Sequence, residues 1–187
     1  AHLGARATRW SPLGLRIDLG ADARNPGIHS EEIFIKGGVE VQDEGSQLAA
    51  LLTGAKPGEQ VIDMCAGAGG KTLALAAMMQ GKGRLIATDR DKRQLAPIHE
   101  RLSRAGVHNA EVRSPRGPDD TLGDIRESAD LVVIDAPCTG TGTWRRNPDA
   151  KWRMRPGALE IRIRDQVEVL DRAATLAKPG GRIAYIT

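Results

Sequence analysis

A chain of 187 residues sets one domain with an adequate core and at most a small appendage. Its net charge of +3 is compatible with a nucleic-acid partner but too small to argue for one. The only cysteines, Cys65 and Cys138, lie far apart, which removes support for a clustered metal site and leaves reduced thiols in a cytoplasmic protein as the expectation. No apolar run reaches membrane-spanning length and no secretory signal is visible, although the chain does not begin with Met.

Residues 1–40 have no clean period and are punctuated by Pro12, Gly14, Gly20, Pro26, Gly27, Gly37 and Gly38. They read as a linker or the tail of a preceding domain, with short strands expected at 15–19 and 33–35. A domain over 41–187 follows. It opens with a short helix over 46–52, capped within 43–46 and stopped by Gly54. Lys56-Pro57-Gly58 then turns into a strand over 60–64. Helix 71–79 is closed by Gly81 and Gly83. Strand 84–88 and helix 91–105, closed by Gly106, come next, and Pro97 should kink that helix. A weaker strand at 110–113 and a loop over 114–119 precede strand 131–135. After a long polar loop, helix 159–177 carries an apolar stripe through Leu159, Ile163, Val167, Leu170, Ala174 and Ala177. Lys178-Pro179-Gly180-Gly181 stops it, and 182–187 begins a fifth strand. Strands alternating with helices predict an α/β fold with a doubly wound, mostly parallel sheet.

Two strand ends carry the chemistry. The first reads Asp63-Met64-Cys65-Ala66-Gly67-Ala68-Gly69-Gly70-Lys71-Thr72. Its glycines let the backbone approach a ligand, and the following helix offers free N–H groups. A Walker loop would need glycine where Cys65 stands, and the dinucleotide fingerprint would need glycine where Thr72 stands, so both patterns fail. Asp89, about twenty residues beyond Gly69, has the spacing at which a carboxylate meets ribose hydroxyls. A nucleoside-bearing cofactor follows, and S-adenosylmethionine fits better than a dinucleotide. The second strand end is Leu-Val-Val-Ile-Asp-Ala-Pro-Cys-Thr-Gly-Thr-Gly over 131–142. A thiolate adding to carbon 6 of a pyrimidine turns carbon 5 into a nucleophile towards a methyl sulfonium. A carboxylate such as Asp135 would stabilise the charge developing on the ring.

The text at 63–72 and Asp-Ala-Pro-Cys-Thr-Gly-Thr-Gly at 135–142 resemble motifs I and IV of the RsmB-like (Sun/Fmu) RNA cytosine-5 methyltransferases. Val-Gln-Asp-Glu-Gly-Ser-Gln at 41–47 and Arg-Arg-Asn-Pro-Asp-Ala-Lys-Trp-Arg at 145–153 are similar to that family too. The resemblance implies a Rossmann-like class I methyltransferase acting on RNA, with rRNA the expected substrate. It implies that Cys65, Ala66, Gly67, Ala68, Gly69, Gly70, Lys71, Asp89 and Arg90 bind S-adenosylmethionine. Asp135 would contact both cofactor and base. It further implies that the attacking thiol is a second cysteine, in a Thr-Cys pair at the end of the fifth strand, and that Cys138 assists product release. The sequence stops at Thr187, one residue short of that position. The expectation is therefore a fragment lacking the last strands, which binds cofactor and does not methylate RNA alone. The family's usual acid after the third strand is replaced by Arg113-Ser114-Pro115-Arg116.

Arg145, Arg146, Lys151, Trp152 and Arg153 follow the thiol loop and form the expected RNA-binding cluster: guanidinium groups neutralise phosphates and indoles stack on unpaired bases. Lys92, Arg93, Arg101 and Arg104 are expected on a solvated helix face. Two rivals stand beside this reading. One is a DNA cytosine-5 methyltransferase using Cys138 as nucleophile, and the other a non-catalytic RNA-binding domain on the same fold.

Overall fold

The computed structural model describes residues 3–18, 26–114 and 122–187. Strands β1 (Arg6–Ala7) and β2 (Leu15–Arg16) form a small antiparallel hairpin, a shorter pairing than the strand expected from residue 15. Glu44 anchors it: Oε1 accepts the backbone N–H of Trp10 at 2.7 Å and of Ser11 at 3.0 Å. The strand expected at 33–35 is instead a helical turn, α1 (Glu32–Ile35). A three-residue strand gains few ladder bonds, whereas the turn closes Ile35 N–H onto Glu31 O at 2.9 Å and buries Phe34. Helix α2 (Glu44–Leu52) begins two residues earlier than expected because Asp43 is its cap, its Oδ1 accepting from Gly45 N–H at 2.9 Å.

Five parallel strands make the main sheet: β3 (Gln60–Asp63), β4 (Arg84–Thr88), β5 (Ala110–Arg113), β6 (Ala129–Asp135) and β7 (Ala177–Ile186). Their spatial order is β5-β4-β3-β6-β7. Alternation along the strands builds two apolar faces. Ile62, Ile86, Val132 and Ile134 point to one side, where Ala173 and Leu176 of α6 (Ala158–Leu176) cover them. Val61, Leu85, Leu131 and Val133 point to the other, under Leu75 and Ala76 of α3 (Gly70–Met78). Each fully buried aliphatic side chain contributes about 1.5–3 kcal/mol, so both faces must be covered for the sheet to hold. The doubly wound expectation is met.

Pro97 does more than kink the helix expected over 91–105. It divides it into α4 (Lys92–Leu95) and α5 (Ile98–Arg104), since proline supplies no N–H to continue the ladder. The Lys178–Gly181 turn also behaves as a break. Pairing runs from Ala129 with Ala177 to Leu131 with Arg182, so those four residues bulge opposite Asp130. The strand therefore starts at Ala177, earlier than the expected residue 182, with the turn folded into it. The loop expected over 114–119 lies, beyond Ser114, outside the described residues. Among the described residues, no helix is long and apolar enough to cross a membrane.

Candidate active site

The sheet order reverses between β3 and β6, because the chain winds outward from β3 through β4 and β5 and then returns to β6 on the other side. That reversal opens a crevice at the carboxyl ends of the strands, where α/β folds bind ligands. Asp63, Asp89 and Asp135 stand at or just beyond the ends of β3, β4 and β6.

The glycine loop is built by backbone pairing beyond the strand ends. Met64 N–H donates to Val133 O at 2.9 Å and Ala66 N–H to Thr88 O at 3.0 Å. Gly69 has a φ of 87°, and a Cβ added there would lie 2.5 Å from Ile98 Cγ1. Only glycine brings the loop this close to α5. Asp89 secures the other side: Oδ2 accepts from Gly67 N–H and Oδ1 from Asp91 N–H, both at 2.9 Å. A carboxylate offers about four lone-pair sites, so two remain for ligand hydroxyls.

Lys71, in the first turn of α3, reaches Asp135 with an Nζ–Oδ2 distance of 2.6 Å. The ammonium is nearly buried and the carboxylate about half exposed. Beneath them Asp63 is wholly buried, accepting from Thr72 Oγ1 at 2.8 Å while its Oδ1 has no partner. Burial raises the Asp63 carboxyl to about 7; the Thr72 hydrogen bond opposes this, and the negative charge of Asp135 adds to it. Cys65 is pushed up to about 12, first by burial and then by Asp89, Asp63 and Asp135. A thiol in that state is a poor nucleophile, which fits a lining role.

A cavity of about 270 Å³ lies over these groups, bounded by Cys65, Ala66, Gly70, Lys71 and Asp135. Of its remaining lining, only Arg146 was expected at a site, and there as part of the RNA-binding cluster. Val41, Gln42, Asp43 and Ser46 close one side, and Arg101 and Arg146 another. The 41–47 stretch signalled itself only through resemblance. Arg101 gave no local signal: it belongs not to a solvated face but to this wall, donating to Ala68 O at 2.7 Å and to Glu40 Oε2 at 3.2 Å. Arg104 is likewise engaged, with Glu40 at 2.6 Å and over the Phe34 ring at 4.2 Å.

The structure distributes the remaining expected site residues unevenly. Arg90, like Gly67, Ala68, Gly69 and Asp89, is not among the residues lining this cavity, and it pairs with Asp165 of α6 at 2.8 Å. Cys138 is exposed and lines a different cavity from Asp135, its sulfur accepting from Gly140 N–H at 3.3 Å. Arg145 is exposed, and Trp152 is 80% exposed with Lys151 Nζ 5.0 Å from its ring centre. Arg153 pairs with Asp149. Arg146 instead reaches Asp43 at 2.6 Å, tying the basic loop to the cap of α2. Arg113, where the family's acid was missed, is held by Glu111 at 2.7 Å and Asp124 at 2.5 Å.

A doubly wound sheet with a glycine loop and acids on three strand ends defines a Rossmann-like methyltransferase domain. The chain belongs to the family described as 16S rRNA methyltransferase RsmB/F, whose model matches residues 50–187. It is 33% identical over 162 residues to ribosomal RNA small subunit methyltransferase B of Salmonella newport, covering 86% of this chain and 37% of that protein. It is 35% identical to the probable ribosomal RNA small subunit methyltransferase B of Bacillus subtilis, covering 86% of this chain and 36% of that one. Among solved structures, NSun6 from Pyrococcus horikoshii with SFG superposes at a TM-score of 0.72 with 30% identity, over 86% of this chain and 41% of that chain. The chain thus spans little more than a third of the curated relatives it matches.

Proposed function

We propose that this chain forms the cofactor-binding part of an enzyme that methylates carbon 5 of a cytosine in ribosomal RNA, through a covalent cysteine adduct. The domain assigned to this task is 41–187. The observation that carries the reading is that Cys65, Ala66 and Gly70 of the glycine loop share one crevice with the Lys71–Asp135 pair, while Asp89 holds the same loop through Gly67 N–H. The names of the relatives support RNA as substrate.

The residues present fit S-adenosylmethionine. Gly67 faces open space where a Cβ would meet nothing within 4 Å, so the loop has room on its outer side. Asp89 has lone pairs left for ribose hydroxyls, and the first-turn amides of α3 point to the crevice. When bound, the cofactor supplies an electrophilic methyl group on sulfur. Cys65 and Ala66 wall the site and exclude water. Lys71 holds Asp135 in one orientation, so that it meets the polar edge of the base. Cys138, exposed with an amide directed at its sulfur, takes the role of release thiol. Arg145, Lys151, Trp152 and Arg153 form the RNA surface beside it.

Two measurements test this. Saturating S-adenosylmethionine, at about a hundred times its Kd, should stabilise the protein by about 2.7 kcal/mol, or about 5–10 °C in melting temperature. No shift would favour a non-catalytic domain. Binding should then be compared on unstructured RNA and on DNA of the same sequence; preference for DNA would point to the DNA-methyltransferase reading with Cys138 as the nucleophile.

A further inference from the structure

A second cavity, of about 670 Å³, is lined by the thiol loop at Cys138 and Thr139. Pockets that take small ligands run to about 300–1,000 Å³, so this one has room for a nucleotide. Cys138 and Thr139 stand at one wall and Asn147 at another, and three guanidinium groups belong to it: Arg153, Arg155 and Arg162. No carboxylate lines it. The three arginines are not equivalent. Arg153 is held by Asp149, and Arg162 by Asp165 at 2.8 Å. Arg155 has no ion-pair partner among the described residues and is exposed. Met154 and Ile161, 40% and 48% exposed, add an apolar surface beside the charges.

This combination matches one ligand chemistry. Arg155, an arginine without an acid partner among the described residues, attracts a phosphodiester, Asn147 can donate and accept at a base edge, and an apolar surface covers the face of an unstacked base. We infer that the second cavity receives the RNA nucleotide adjacent to the target, with Arg155 as the ligand of its phosphate. This rests on the RNA reading above: if the target base enters the crevice of Asp135, its neighbour meets the cavity lined by Cys138, three residues further along the loop. Arg153 and Arg162, already oriented by their carboxylates, flank that phosphate, and Arg155 becomes ordered on binding.

The test uses a 12-nucleotide unstructured RNA with a single cytosine, with three readouts: affinity against salt, alkylation of Cys138 by N-ethylmaleimide, and the thermal shift with S-adenosylmethionine. Arg155→Ala should weaken RNA binding about fivefold and lower the salt slope by about 0.7 to 1, as expected for one lost phosphate contact. Arg155→Lys should restore the slope. Bound RNA should shield Cys138 from alkylation in the unaltered protein, and less so in Arg155→Ala at equal RNA concentration. The cofactor shift should be the same in all three proteins. RNA binding that is identical in Arg155→Ala, or that leaves Cys138 fully reactive, would overturn this inference and leave the proposed function standing. Failure of the unaltered protein to bind RNA would remove both.

Discussion

Lys71 Nζ lies 2.6 Å from Asp135 Oδ2, joining the helix after β3 to the end of β6 across 64 residues of chain. The contact bridges the point where the sheet order reverses. It places a cation and an anion side by side at the floor of the crevice, the anion about half exposed and the cation nearly buried.

Removing both partners should therefore cost less than the sum of removing each. Lys71→Met leaves Asp135 unpaired and should destabilise the protein by about 1 kcal/mol, the figure being kept low because solvent screens the carboxylate. Lys71→Met with Asp135→Asn should be less destabilised than the two single changes summed, with a coupling of about 0.5 kcal/mol or more in urea unfolding. Strict additivity would mean that the pair does not act as a unit.

The two thiols should differ sharply in reactivity. Cys65, pushed up to about 12 by burial and by three nearby carboxyl groups, should resist iodoacetamide at pH 8. Cys138 is exposed and should be alkylated first. Mass spectrometry of the peptides after brief labelling checks this, and equal labelling of both would contradict the raised Cys65 thiol.

Asp63 should make the stability depend on pH in an unusual direction. Its carboxyl titrates at about 7 in the fold, against about 3.9 in the unfolded chain. Between those values the folded state binds more protons, so this group's contribution to stability falls as pH rises from about 4 to about 7, then levels off. Glu44, Asp130 and Asp165 are shifted down and act in the opposite sense, so the clean readout is a difference. Subtracting the pH profile of Asp63→Asn from that of the unaltered protein should leave the falling component. A flat difference between pH 4 and 8 would be the contrary result.

Two glycines of the same loop should separate backbone strain from steric overlap. Gly67→Ala meets open space and carries only the left-handed penalty, about 1–2 kcal/mol. Gly69→Ala adds a Cβ that overlaps Ile98 and should cost about 2–4 kcal/mol, or about 4–16 °C in melting temperature. Similar melting temperatures for the two variants would show that α5 yields to the added atom.

Sequence by itself determined the order and type of the main elements, because their signals are short-range. Short continuous apolar runs in 60–63 and 84–88, the glycine stops, the Asp43 cap and the break at Pro97 each act within a few residues. The spacing from the glycine loop to Asp89 was legible for the same reason: one βαβ unit has a nearly fixed length. At 33–35 the local reading failed, since β-branched residues prefer strands only where a neighbour offers a ladder. Tertiary structure alone decided which side chains share the crevice. Arg146 meets Asp43 across 103 residues, Arg101 meets Glu40 across 61, and no periodicity encodes either. Packing also separated Asp135 from Cys138 into two cavities, although only Ala136 and Pro137 lie between them. Which groups face one another depends on how the helices close over the sheet, and that is set by burial of the whole core rather than by any local run of residues.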